Sequence, residues 1–281
     1  MKNKKSILGL LGLGLLMFTF TSCVKDDKTD SDTSIASDNY TAQRESDGIV
    51  DAVDAAALDI GAMRVDETYA TLLPECATIT FDTIVTPHFI EIAFDSTASG
   101  GNGCLCSDWD GKYRKGKIRV EWTGKYRDAG SVHTISTSNY YVNSNKFEYL
   151  KTVTNNGLNN SGHSTFSVNV SLGKITFTDG TFMTWTSNRT REWTQGEGTL
   201  TPLDDVYSIT GSASGVSKSG TSYTFEITSP LNIALSCKWI RSGTIVISPD
   251  GKPTRTLDFG NGDCDSQATV TINGNVYNIN L

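Results

Sequence analysis

Histidine occurs three times in this chain, at His88, His133 and His163, and at no spacing that known chemistry uses. There is no His-Glu-x-x-His pair for zinc, no Gly-x-Ser-x-Gly turn for an acyl nucleophile, no glycine loop for phosphate and no Cys-x-x-Cys. His88 follows Pro87 at a strand entrance, His133 lies in a Thr-rich strand and His163 sits in a turn, so surface and turn positions account for all three. Glycoside hydrolysis needs only two carboxylates at the right separation in space. Glu121 beside Trp122 and Glu192 beside Trp193 are the pair to consider, with the outward half of strand alternation as the plainer reading. Asp258, Asn261, Asp263 and Asp265 alternate oxygen donors along a glycine loop, but neither the spacing nor the missing closing Glu fits an EF-hand. No metal and no cofactor is expected. Trp109, between Asp108 and Asp110, and Tyr113 behind it offer a platform on which a sugar ring can stack; an aromatic folded back over a sheet edge is the competing reading.

Basic residues cluster at Lys112, Arg114, Lys115, Lys117 and Arg119, then Lys125 and Arg127, interleaved with Tyr113, Trp122 and Tyr126. That is a pattern a single-stranded nucleic-acid binder uses. The whole chain, however, has 24 Lys and Arg against 31 Asp and Glu, a net charge of -7, which argues against nucleic acid as a partner. The expectation is a wet strand face balanced by acids opposite, and Arg189, Arg191 and Trp193 form a similar ladder where a guanidinium can stack on the indole.

The amino terminus is the most specific stretch. Met1 to Lys5 is basic, Ile7 to Phe20 is an apolar run of signal-peptide length broken by Gly9, Gly12 and Gly14, and Thr21 and Ser22 lead into Cys23. The run is too short to span a bilayer, which takes about 20 apolar residues. Phe20-Thr21-Ser22-Cys23 resembles the lipobox of bacterial lipoproteins, with Phe20 where Leu is commoner. Lys25-Asp26-Asp27 just behind it resembles the export signal of surface lipoproteins of the Bacteroidota. The resemblance implies cleavage after residue 22, acylation of Cys23, and an outer-membrane protein held by its lipid and facing the cell exterior. Beyond the leader the chain looks like uncharacterised all-β lipoproteins of that group, which implies no activity. Losing residues 1–22 leaves 21 basic side chains against 31 acidic ones.

With Cys23 acylated, five cysteines remain in an envelope that permits disulfides. Cys237 shares the inward parity of Leu235 and Trp239, and Cys264 lies in a turn between neighbouring strands, so a Cys237–Cys264 bridge is expected. Cys76 has Cys104 and Cys106 as alternative partners.

The elements that must position these residues follow from composition and period. The 281 residues include 26 glycines and 6 prolines, with abundant Thr, Ser and Asn, as many strands joined by tight turns require. Residues 23–37 read as a solvated, lipidated tether. Residues 38–60 read as one amphipathic helix capped by Ser37 or Asp38, with Ile49, Val53, Ala56 and Ile60 on one face. Residues 61–281 read as an antiparallel β domain, because the period is two from Pro74 onward: Ile118, Val120 and Trp122, or Phe166, Val168 and Val170, alternate with polar residues. Asp179-Gly180, Asp250-Gly251 and Asn273-Gly274 mark hairpin turns. The architecture expected is a meander of hairpins forming a large curved sheet, a sandwich or an open barrel, possible halves being divided near 196–205.

The function expected is a surface binding or structural module without catalysis, its partners the membrane through Cys23 and a glycan or envelope protein. The alternatives are a lipid- or lipoprotein-binding carrier-like sheet and a glycan hydrolase. Each acyl methylene contributes about 0.8 kcal/mol to membrane affinity, so two or three chains hold durably. Cys23→Ala will therefore move the protein from the membrane to the soluble fraction, as fractionation by ultracentrifugation reads; unchanged partitioning refutes acylation.

Overall fold

Alternation of inward- and outward-facing positions along strands of up to 14 residues gives each strand one face that seeks cover and one that tolerates water. The computed structural model describes residues 30–59, 73–107, 111–199 and 201–281. Cys23, Lys25, Asp26, Asp27 and Trp109 lie outside them. Helix α1 (Ser34–Asp59) precedes fourteen strands: β1 (Ala77–Asp82), β2 (His88–Phe94), β3 (Cys104–Cys106), β4 (Lys112–Trp122), β5 (Val132–Val142), β6 (Asn145–Leu158), β7 (Ser164–Thr176), β8 (Phe182–Gln195), β9 (Val206–Val216), β10 (Ser222–Ala234), β11 (Ser242–Pro249), β12 (Arg255–Asn261), β13 (Gln267–Ile272) and β14 (Asn275–Asn280). All belong to one antiparallel sheet in chain order, with β3 set aside as a short partner of β4, and the sheet is not closed into a barrel.

Turn chemistry enforces the meander. Asn159-Asn160-Ser161-Gly162-His163, Phe177-Thr178-Asp179-Gly180-Thr181 and Ser217-Lys218-Ser219-Gly220-Thr221 each close with the first amide donating to the fifth carbonyl, and the glycine amide donating to the first carbonyl. The glycines have φ of 80, 83 and 83°, the left-handed residue that ends this hairpin loop.

The break at 196–205 does not interrupt the sheet. Gln195 of β8 still pairs with Val206 of β9, so the segment is a hairpin loop. Two apolar clusters do exist, but β6, β7 and β8 run through both: Phe147, Ile175 and Trp185 belong to one, Val153, Phe166 and Trp193 to the other.

Order begins earlier than the sequence pattern placed it. Residues 30–37 are not a solvated tether, and α1 starts at Ser34 rather than Asp38. Asp30 Oδ2 lies 2.7 Å from Arg255 Nη2 and Asp32 Oδ2 lies 2.6 Å from Lys252 Nζ, while Arg255 Nε donates to the Asp32 carbonyl. Arg255 is fully buried, and a buried guanidinium is costly without a counter-charge, so acids that read as solvated are drawn in. Asp38, read as a possible cap, accepts the Lys218 amide at 2.9 Å, and burial pushes its carboxyl up. Ile35, Ala36, Ala42, Ser46 and Ile49 bury along one face of α1, and the Ser46 and Tyr149 hydroxyls hydrogen-bond. No helix among the described residues is long and apolar enough to cross a membrane.

Hydrogen bonds from Lys252 and Ser34 hold the Asp32 carboxyl well below its ordinary value. A depressed carboxylate contributes stability that is present above its unfolded pKa of about 4 and is lost as pH falls through the folded value. The pair is about a third exposed, so screening limits the gain to about 0.5–1 kcal/mol. Urea denaturation at pH 7 will show Asp32→Asn less stable than wild type by about that amount, and the gap will close progressively below about pH 4.

Candidate functional site

A glycine between two lysines in β4, Lys115-Gly116-Lys117, sits beside a sizeable cleft on the outer face of the sheet. Lys115 pairs with Tyr141 and Lys117 with Ser138, so Gly116 alone opposes Asn139 and Tyr140, a β-bulge in β5. Asn139 is left-handed at φ 45° and Gly116 has φ 91°. A Cβ at Gly116 would run into the Asn139 carbonyl, so only glycine lets the strands approach. Beside this kink opens a cleft of about 530 Å³, lined by Phe94, Ser96, Lys115, Lys117, Asn139 and Tyr141 together with smaller neighbours. Lys115 Nζ lies 5.1 Å from the centroid of Tyr141, and no described carboxylate is within ion-pair distance of it. Lys117 Nζ instead meets Glu91 at 2.6 Å. The cleft therefore offers an ammonium against an aromatic ring, an amide and two hydroxyls, and no carboxylate in its lining.

Beneath the cleft, on the core face, the bulge turns Tyr140 inward to accept a hydrogen bond from Arg114 Nε at 3.1 Å. Burial pushes the Tyr140 phenol up and Arg114 opposes it. The wet-face reading of the basic cluster is thus corrected at Arg114, which is 1 % exposed because even-numbered β4 positions face the core. It holds for Lys117 and Arg119, whose partners are Glu91 and Glu121.

Tyr113 lies on the outer face of β4, two residues before Lys115, with its amide donating to Asn143 Oδ1 at 2.9 Å; it borders the cleft's strand without lining the cleft. Cys237 and Cys264 form a disulfide with Cα atoms 5.7 Å apart. Cys76 joins Cys104, and Cys106 is buried in neither bridge.

His88 and His133 are not simple surface residues. They flank Trp122 on the core face at centroid distances of 5.6 and 6.5 Å, and the rings continue through Tyr126 to Phe166. His88 Nδ1 and His133 Nε2 are buried without hydrogen-bond partners, and burial lowers the His133 pKa, favouring neutral imidazole. The Arg191 guanidinium lies 4.9 Å from the Phe166 centroid and 5.0 Å from that of Tyr207. The guanidinium stacked on Trp193 is that of Arg127, at 4.8 Å, rather than one from the same strand. Arg189, at the start of this ladder, lines a cavity of only about 10 Å³ with Tyr40, Leu231 and Ile245.

Glu192 accepts from Asn159 and lies 2.6 Å from His163 Nδ1, which pins the β6–β7 turn and, with the Asn159 bond, lowers the Glu192 pKa. Glu121 is bound to Arg119, two residues before it on β4. Asp258 and Asp265 accept amides of their own turns, Gly260 and Gln267. No group of three metal-ligating side chains occurs among the described residues.

Sequence reading missed Lys115 with Tyr141, which are 26 positions apart and meet only through register. A glycine inside a strand pattern was the signal that marks such a bulge. No family model, no curated protein and no solved structure matches the chain.

Gly116→Ala will lower stability by about 2 kcal/mol or more, through the forced approach and the positive φ. Thermal unfolding will read this as a fall of about 4–8 °C. Gly198→Ala, at an open site with no positive φ, is the control that will change little.

Proposed function

We infer that this chain is a lipid-anchored surface binding module, held at the outer membrane through Cys23, and that the β2–β4–β5 cleft takes its ligand. The observation that carries the reading is the Lys115 ammonium lying against Tyr141 at the mouth of a cleft that also presents Ser96, Ser138 and Asn139. A ring that stacks on a sugar, a cation with no described carboxylate partner, and neutral hydrogen-bonding groups together suit an acidic glycan. The left-handed Asn139 adds to the case, since a non-glycine residue in that region is maintained only where its surroundings hold it.

The two alternatives draw less support. A lipid carrier needs an apolar cavity under the sheet, and the described cavity on the core face, lined by Tyr40, Leu231, Ile245, Leu257 and others, measures about 10 Å³, about the space of one water. A glycan hydrolase needs two facing acids, and the cleft lining contributes none.

Isothermal titration against uronic-acid oligosaccharides and their neutral counterparts tests the reading. Wild type will prefer the acidic series; Lys115→Ala will abolish that preference, and Tyr141→Ala will weaken both series by about tenfold, or 1.4 kcal/mol. Equal affinity across wild type and both variants would remove the cleft from the argument.

A further inference from the structure

A sheet that does not close into a barrel has two edges. β14 (Asn275–Asn280) ends the strand order, and no described strand lies beyond it. It follows β13 in one unbroken register, from Ile272 opposite Asn275 to Gln267 opposite Asn280. The Leu281 amide continues that ladder by donating to the Ser266 carbonyl. Because antiparallel hydrogen bonding alternates, the odd-numbered positions of β14 bond to β13, while Val276, Asn278 and Asn280 turn their amides and carbonyls to the open edge.

Edge strands are ordinarily blunted by charge, proline or a bulge. From Gln267 to Leu281 there is no charged residue and no proline, and the register with β13 contains no bulge. Val276 is 63 % exposed, and Asn275, Asn278 and Asn280 are exposed as well. The opposite edge is different: β1 contains Asp82, follows Pro74 and Glu75, and its Ala77 amide is already donated to the Pro74 carbonyl.

The sequence of β14 is complementary to itself when turned about Asn278. In that antiparallel register Asn278 faces Asn278 of a second copy, and Val276 faces Asn280, so every outward amide and carbonyl of one strand meets its counterpart on the other. On the core face Tyr277 falls opposite Ile279 of the second copy, an aromatic and β-branched pair of the kind that stabilises sheets. Within one chain both side chains are only partly buried, packed on the core at its open margin. The Tyr277 hydroxyl donates to the Asp30 carbonyl at 3.5 Å, which holds the ring on that face. A two-fold axis sets the central residue against itself, and the residue there is a neutral asparagine, which both donates and accepts. Pairing β14 with β1 of another copy would instead be head-to-tail, which closes no dimer.

We propose that β14 is a homodimer interface, through which two copies of this chain join edge to edge, antiparallel about Asn278, into one continuous sheet. The second copy extends the hydrogen-bond ladder and covers the exposed flanks of Tyr277 and Ile279.

The test uses the full-length protein in mild detergent, with micelles in excess over protein. Asn278→Cys lies opposite its own copy at a Cα separation of about 5.5 Å, within disulfide range, so mild oxidation should give a dimer band on non-reducing gels. Val276→Cys or Asn280→Cys alone lies about 14 Å from its own copy, four residues along the strand, and should stay monomeric. The two variants mixed should cross-link to each other. In sedimentation velocity wild type should be a dimer. Asn278→Lys, which sets an ammonium against itself at an exposed position, should be a monomer with an unchanged melting temperature, and mixing it with Asn278→Asp should restore the dimer. A monomeric wild type, self-cross-linking of Val276→Cys or Asn280→Cys, or a dimer that survives Asn278→Lys would each overturn the proposal.

Discussion

The constraint on which the rest of this structure depends is that a sheet of fourteen one-sided strands must cover its own apolar face. No second sheet exists among the described residues to pack against it. Residues as distant as Ile92 in β2 and Val270 in β13 are nonetheless fully buried. The sheet achieves this by curling, its strands offset at bulges in β5, β7 and β10, and by taking α1 onto its core face. Bulges increase local twist, so each register shift also serves the curvature that closes the core. Fully burying one aliphatic or aromatic side chain contributes about 1.5–3 kcal/mol, and several dozen such burials oppose the entropy of ordering the chain.

That solution makes the N-terminal segment an internal part of the domain. Its polar attachments are spread over the sheet: Asp30 and Asp32 at β12 and its turn, Gln43 with Arg189 on β8, Glu45 with Lys112 on β4. Because Arg255 is fully buried, its contacts with Asp30 and with the Asp32 carbonyl define where the chain enters. Removing one partner from such a site leaves an uncompensated charge, which is more costly than the pair is stabilising.

The same bulge that helps the sheet curl produces the cleft. Two residues of β5 opposite one of β4 displace the side chains around Gly116, sending Tyr140 to the core and leaving Lys115 and Tyr141 outside. A cleft of this kind costs the fold little beyond a glycine and one left-handed asparagine, and most of its lining sits on paired strands rather than on a loop. The core-face ladder of His88, Trp122, His133, Tyr126 and Phe166 shows another use of similar residues: aromatic and imidazole rings packed against one another.

Strand class and hairpin positions were legible in the sequence, because side-chain alternation and turn chemistry are local: an Asp-Gly or Asn-Gly between two alternating runs imposes a hairpin whatever lies elsewhere. The inward strand parity read for Cys237 is corrected, since β10 ends at Ala234, Leu235 is exposed and Cys237 lies in the following loop, although its bridge to Cys264 forms. The resemblance of the N-terminal residues to a lipoprotein leader was legible for the same reason, since it rests on a few adjacent residues. Tertiary structure alone decided that β8 and β9 continue one sheet across the 196–205 break, that Cys104 rather than Cys106 takes Cys76, and that Asp30 and Asp32 are bound rather than solvated. The Asp30 and Asp32 contacts depend on partners far off in the chain, more than 200 residues away for Asp30 and Arg255. The cleft was hidden likewise: Lys115 and Tyr141 are unremarkable singly, and a one-residue change of register would place them on opposite faces. Local sequence sets which face each side chain prefers, whereas register and curvature set which side chains meet, because those arise from satisfying the whole hydrogen-bond ladder and the whole core at once.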